Sequence, residues 1–216
     1  MNISLVELTE QFLKDSFTQS GIWQKDPTAA AYRLEHSYRV ANIGRAIARK
    51  EAFDETAMVI ACLLHDIAYC RELATPEEQR DHGRLSAQIA RPFLEELGFD
   101  RETVENICYG IAIHVDDVAD FEGERTTFAE TVSDADNIDR FDAYRLYEGL
   151  YYAKFHEMTL QQKRARVERM LRQLQSLKEY KMATESAALM WDEKLNDTIA
   201  FYRRLDVQLQ NSDAIH

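Results

Sequence analysis

Glycine, proline and cysteine are all scarce in this 216-residue chain, which contains 7, 3 and 3 of them. So few turn-forming residues argue against a fold of many strands and tight turns, and they favour helices joined by short loops. No apolar run reaches the roughly 18 residues that a membrane span needs. The first helix-like segment is amphipathic and charged rather than a signal peptide. We therefore expect an all-α protein that is cytoplasmic and has no membrane partner.

The cysteines and the net charge narrow the class of protein further. Cys62, Cys70 and Cys108 show no CxxC spacing, so we interpret them as small buried side chains in a reducing compartment. A net charge of −12 disfavours general nucleic-acid binding, because an acidic surface repels a polyanion. The net charge does not exclude a small phosphorylated substrate, because a bound cation could hold such a substrate locally.

One stretch, Ala57–Tyr69, is apolar on every side except for two adjacent residues, His65 and Asp66. Asp54 is predicted to cap the helix that carries them. An ionised carboxylate inside a protein costs several kcal/mol unless it has a partner. An arginine could be that partner, and a metal ion bound by both residues would meet the same need. The dipeptide alone leaves both interpretations open, together with a buried histidine–aspartate pair in a polar network.

Other imidazoles and carboxylates also stand where the helical pattern calls for buried residues. The apolar stripes of three separate predicted helices each include one of them: His36, His114 and Asp136. The helix of Asp136 is predicted to span Thr126–Tyr144, and His82 stands at the start of a further helix. One such residue is ordinary, but convergence on a single interior point would account for all of them at once.

The order of these residues, H…HD…D, resembles the signature of the HD-domain superfamily of metal-dependent phosphohydrolases. Five segments look like the corresponding family segments: Glu35–Ala48, Ala61–Ala68, Asp81–Ala90, Ile111–His114 and Ser133–Asp139. The whole chain is similar to bacterial HD hydrolases of the YedJ type. The resemblance implies an all-α HD-domain helical bundle with a C-terminal helical extension. We expect a single domain over residues 1–216, with a core at about 20–146 and helices at about 147–216 packed on it or forming a homodimer contact.

The resemblance also implies a metal site. Its first divalent ion would be held by four residues: His36, His65, Asp66 and Asp136. Asp136 is preferred to Asp134 because the last ligand of the family usually follows an alanine. His82 and His114 stand where some branches bind a second ion bridged by the motif aspartate, so we favour two ions over one. Mixed nitrogen and oxygen ligands suit Fe, Mn, Zn, Ni or Co better than Mg or Ca.

By the same resemblance, the expected activity is hydrolysis of a nucleotide or another small phosphoester through metal-activated water. Asp66 and His65 are the predicted catalytic residues. Arg39, Arg84 and Arg140 lie close in sequence to predicted ligands and are predicted to bind the phosphate. The same ligand set would also suit a mixed-valence di-iron HD-fold oxygenase. A non-catalytic nucleotide-binding regulatory module is the remaining alternative.

Overall fold

The computed structural model describes residues 3–21, 25–116, 118 and 120–214 of the chain. In these residues the structure contains ten α-helices and no β-strand, which confirms the all-α prediction. The chain divides into two compact units, Met1–Asp139 and Arg140–His216. The expectation that the C-terminal helices pack on the core stays a prediction.

Of the α-helices in the described residues, seven begin in the first unit and three lie in the second. In the first unit they are α1 (Leu5–Thr18), α2 (Pro27–Glu51), α3 (Glu55–Leu64), α4 (Pro76–Arg80), α5 (His82–Glu96), α6 (Arg101–Ile113) and α7 (Thr127–Arg140). A short 3-10 helix, Ile67–Cys70, follows α3. The second unit contains α8 (Ala143–Tyr152), α9 (Leu160–Ser176) and α10 (Glu185–Gln210).

Side-chain caps start most of these helices. Asp54 and Asp100 each accept a hydrogen bond from the backbone N–H three residues later, as predicted for Asp54. Thr75 and Thr159 form complete capping boxes. Such a cap contributes about 1 kcal/mol to helix stability. The predicted helix Thr126–Tyr144 is wrong in its length, because α7 ends at Arg140 and Asp142 caps a new helix, α8.

Helix α3 is the centre of the first unit. Every residue from Ala57 to Leu64 is buried, and the helix packs against α1, α2 and α6. Helix α5 packs along α6, and Gly83 allows the closest approach between their backbones. A Cβ atom at Gly83 would lie 2.7 Å from the Ala112 carbonyl oxygen. His82 directly precedes Gly83, and His114 lies two residues after Ala112, so this contact sets the distance between the chain segments that carry these two histidines.

We expect Gly83→Ala to destabilise the protein by about 1–3 kcal/mol, since the added methyl group must push α5 away from α6. Gly149→Ala is the matched control. Apart from its chain neighbours and the backbone of its own helix, α8, nothing in the described part of the chain lies within 4 Å of a Cβ atom built at Gly149, so alanine should stabilise that helix by up to about 1 kcal/mol. Urea unfolding followed by circular dichroism measures both changes. A Gly83→Ala variant as stable as the parent would contradict the prediction.

The second unit is built on the packing of α9 against α10. Val167 and Leu174 of α9, and Leu195 and Ile199 of α10, are buried. Arg164 donates hydrogen bonds from Nε and Nη2 to the Leu209 carbonyl at 3.1 and 2.8 Å, which satisfies the C-terminal end of α10. Among the residues that the structure describes, no helix is long and apolar enough to cross a membrane.

Candidate metal centre

The structure brings the six predicted metal ligands together in the first unit. Their donor atoms form three overlapping triads: His36–His65–Asp66, His65–His114–Asp136 and Asp66–His82–His114. We describe them as two groups that share Asp66, the first with His36, His65 and Asp136 and the second with His82 and His114. In the first group, His36 Nε2 lies 3.2 Å from His65 Nε2 and 3.1 Å from Asp136 Oδ1. Asp66 Oδ2 is 3.7 and 3.8 Å from the same two Nε2 atoms. Asp134 is buried as well, but within the described part of the chain it belongs to neither group.

The second group uses the other oxygen of Asp66. His82 Nε2 lies 3.1 Å from Asp66 Oδ1 and 3.2 Å from His114 Nε2, and His114 Nε2 lies 3.5 Å from that oxygen. The aspartate therefore presents one oxygen to each pair of imidazoles. Five of the six residues are buried, and His82 is nearly so; the side chains of His82 and Asp136 are each only 12% exposed.

Three of the four histidines are fixed by the same local device at a helix end. Helix α3 ends at Leu64, so His65 and Asp66 follow the helix rather than lying within it as predicted. His65 Nδ1 donates to the Cys62 carbonyl at 2.7 Å, and His114, just after α6, donates likewise to the Ile111 carbonyl at 2.6 Å. These carbonyls lie in the last turn of a helix, where they lack a helical partner.

His82 repeats the arrangement, since its Nδ1 donates to the Gln79 carbonyl in the last turn of α4 at 2.6 Å. His36 lies inside α2 and uses a carboxylate instead. Its Nδ1 is 2.8 Å from Asp139 Oδ2. Arg39 Nε holds the other oxygen of Asp139 at 2.7 Å. In each histidine the contact at Nδ1 directs Nε2 toward the centre. Histidines that bind metal ions usually have their second ring nitrogen hydrogen-bonded in this way, which fixes the orientation of the ring.

The electrostatics of the two groups are those of a cation site. Burial lowers the pKa of His65 from 6.5 to about 4, so its imidazole is neutral and its Nε2 carries a bare lone pair. Burial also opposes a proton on His36, but the carboxylates of Asp136 and Asp139 raise its pKa to about 9. Burial opposes ionisation of Asp66, yet its interactions with the surrounding side chains hold the pKa of this carboxyl well below its usual value; these are His65, His114, His82 and Arg33.

The donor spacing also fits metal ions. Ligand atoms bound to one transition-metal ion at about 2.1 Å are separated by about 3.0–3.4 Å. Four of the donor separations in the two groups are 3.1–3.2 Å, which is within this range. Four others are wider, at 3.5–3.9 Å. The residues present therefore fit one divalent ion in each group.

Arginines surround the centre, and one of them was missed by the sequence analysis. Arg33 Nη1 donates to Asp66 Oδ2 at 2.8 Å, so an arginine does meet this aspartate, on one oxygen. Of the three predicted phosphate contacts, Arg39 is paired with Asp139. Arg84 is paired with Asp116 and Asp120, two exposed carboxylates in the loop that follows α6. Arg140 is exposed at the end of α7 and belongs to the second compact unit.

We expect Asp139→Ala to weaken metal binding about 10–100-fold while leaving all six donor side chains in place, because His36 loses the group that orients it. Glu35→Ala is the control, since Glu35 is adjacent to His36 but lies on the exposed side of α2. Competition with a chromogenic chelator measures both affinities. Equal affinity in Asp139→Ala and the parent would show that this contact does not support the site.

The comparisons with known proteins agree with this architecture. The family model described as the HD domain matches residues 33–140, half of the chain. The chain therefore belongs to the HD-domain family. Comparison with curated proteins gives no match.

Solved structures share the fold across nearly the whole chain. A predicted HD superfamily hydrolase from an uncultured Thermotogales bacterium is 21% identical, with a TM-score of 0.63, over 95% of this chain and 99% of its own. YpgQ of Bacillus subtilis, crystallised in complex with ADP, is 19% identical, with a TM-score of 0.60, over 94% of both chains. At these identities the likeness shows the fold.

Proposed function

We propose that this protein is a metal-dependent phosphohydrolase that acts on a nucleotide or another small phosphoester. The observation that carries the proposal is the pair of donor groups sharing Asp66, with imidazole Nε2 atoms facing inward in both. Bound divalent ions would activate water for attack on phosphorus and neutralise charge on the phosphoryl oxygens. Iron, manganese, zinc, nickel or cobalt suit these ligands.

The surrounding charges support an anionic substrate. Asp66, Asp136 and Asp139 are the carboxylates in contact with the histidines, and Arg33 and Arg39 are paired with two of them. Two divalent ions would bring four further positive charges, so the loaded centre would be positive overall. A phosphate group compensates such a charge and offers several acceptor oxygens to arginine. YpgQ, which shares the fold, was crystallised with ADP, and this supports a nucleotide.

The residues of the chain have separate tasks in this proposal. Asp66 and His65 hold the reacting centre together, Asp66 by serving both donor groups and His65 by a neutral imidazole locked on the Cys62 carbonyl. Asp139 keeps His36 directed inward. Arg39, Arg84 and Arg140 remain the predicted phosphate contacts.

The test is metal replacement followed by a substrate panel. Protein stripped with a chelator should release no phosphate, and reloading with Mn²⁺ should restore hydrolysis of at least one nucleotide or phosphomonoester. The assay is run without oxygen, so that phosphate release under these conditions also argues against the oxygenase alternative. A fully loaded protein that hydrolyses nothing in the panel would contradict the proposal.

A further inference from the structure

We infer that Arg33 is a substrate-binding residue that contacts the phosphate of the substrate at the metal centre. This inference rests on the proposed function and adds a residue that neither the HD motif nor the predicted set of arginines includes. It starts from the position of Arg33, whose Nη1 lies 2.8 Å from Asp66 Oδ2, the oxygen that belongs to the first donor group. The guanidinium of Arg33 is therefore hydrogen-bonded directly to Asp66, the predicted ligand that belongs to both donor groups.

The guanidinium is held in a fixed orientation. Its carbon lies 3.6 Å from the centroid of the Tyr69 ring, a close cation–π contact. Tyr69 in turn lies against His82, with ring centroids 4.9 Å apart. Arg33 and Tyr69 therefore connect the two donor groups along one side of the centre. A guanidinium fixed in this way loses little freedom when it binds an anion.

Arg33 also reaches from the buried centre to solvent. The side chain of Arg33 is 31% exposed, whereas that of its partner Asp66 is 5% exposed. A guanidinium carries five N–H donors, and the bond to Asp66 uses one of them. With divalent ions held by the two donor groups, Asp66 would no longer depend on Arg33 for charge compensation. The charge of Arg33 is then available to an anion that enters from the solvent side.

The other arginines near the centre are engaged differently. Arg39 directs Nε and Nη2 to the two oxygens of Asp139, at 2.7 and 3.3 Å. Arg84 forms ion pairs with Asp81, Asp116 and Asp120, so its charge is compensated several times over. Of these three side chains, Arg33 is the one bonded directly to a carboxylate shared by both donor groups.

Binding of inorganic phosphate to Mn²⁺-loaded protein, measured by calorimetry, tests the inference without relying on turnover. We expect Arg33→Met to weaken phosphate binding about 10–100-fold, the loss typical of a hydrogen bond to a charged group. Arg33→Lys should recover part of the affinity, since it keeps the charge but not the planar fork. The manganese content of both variants should equal that of the parent. Kinetically, KM should rise by a similar factor, with a smaller change in kcat.

Arg49→Met is the matched control, because Arg49 lies on the same helix and pairs with Glu55 on the surface. It should bind phosphate like the parent. Unchanged phosphate affinity in Arg33→Met would overturn the inference, and so would loss of manganese, which would make Arg33 a positioning residue for Asp66. A parent protein that binds no phosphate would overturn both this inference and the proposed function. A parent that binds phosphate through Arg33 but hydrolyses nothing would support the inference and contradict the proposed function alone.

Discussion

Asp66→Asn is expected to lose both metal ions and to reduce phosphoester hydrolysis by roughly 10³-fold or more, since bound ions supply several kcal/mol of transition-state stabilisation. Asparagine has the same shape, but it is neutral and offers one oxygen instead of two. It therefore cannot present an anionic oxygen to His36 and His65 on one side and to His82 and His114 on the other. Elemental analysis of the purified variant and steady-state assays measure the two effects.

Asp134→Asn is the matched control for this substitution. Asp134 is a buried carboxylate two residues before Asp136 in α7, and it was the competing choice for the last ligand. The Asp134→Asn variant should keep its metal and most of its activity, whereas the Asp136→Asn variant should lose the ion of the first group. If Asp134→Asn lost the metal and Asp136→Asn kept it, the assignment of the last ligand would be reversed. Turnover at the parent rate in Asp66→Asn would refute the metal centre as a whole.

Replacing both His82 and His114 with alanine is expected to lower the metal content from two ions per chain to one. The first donor group keeps its own residues, while the second retains only a single oxygen of Asp66. Hydrolysis should fall roughly 10²-fold or more, because one ion no longer assists the other in holding the attacking and leaving oxygens. Metal stoichiometry at saturating Mn²⁺ is the decisive measurement, and the rate is the second.

The control for the histidine pair is His156→Ala. This histidine lies in the second unit, and its side chain is 71% exposed, so its removal should change neither stoichiometry nor rate. Two ions per chain in the His82→Ala, His114→Ala double variant would contradict the second site. One ion per chain already in the parent would show that His82 and His114 serve another purpose.

Much of the centre could be predicted because its residues violate the helical pattern. His36, His114 and Asp136 occupy buried stripes where apolar side chains are expected, and His65–Asp66 interrupts an apolar run. Burial of ionisable side chains is costly, so several such violations in one chain indicate a shared partner. The pattern can be read from one sequence because it depends on spacing alone.

The details that aim the side chains could not be predicted. Helix α3 ends at Leu64, where His65 still has helical backbone angles and Asp66 departs from them, with φ −106° and ψ 15°. Leu64 is as apolar as its neighbours and gives no sign of this end. Arg33 was missed for a similar reason. An arginine one turn before a buried histidine is common on any helix, and only the three-dimensional structure reveals its contact with Asp66.

The anchoring of His65 and His114 on carbonyls at the ends of α3 and α6 has a consequence for how this chain can change over evolution. Inserting or deleting one residue inside either helix would rotate its final carbonyls away and leave the imidazole pointing elsewhere. The lengths of α3 and α6 should therefore be invariant among functional descendants.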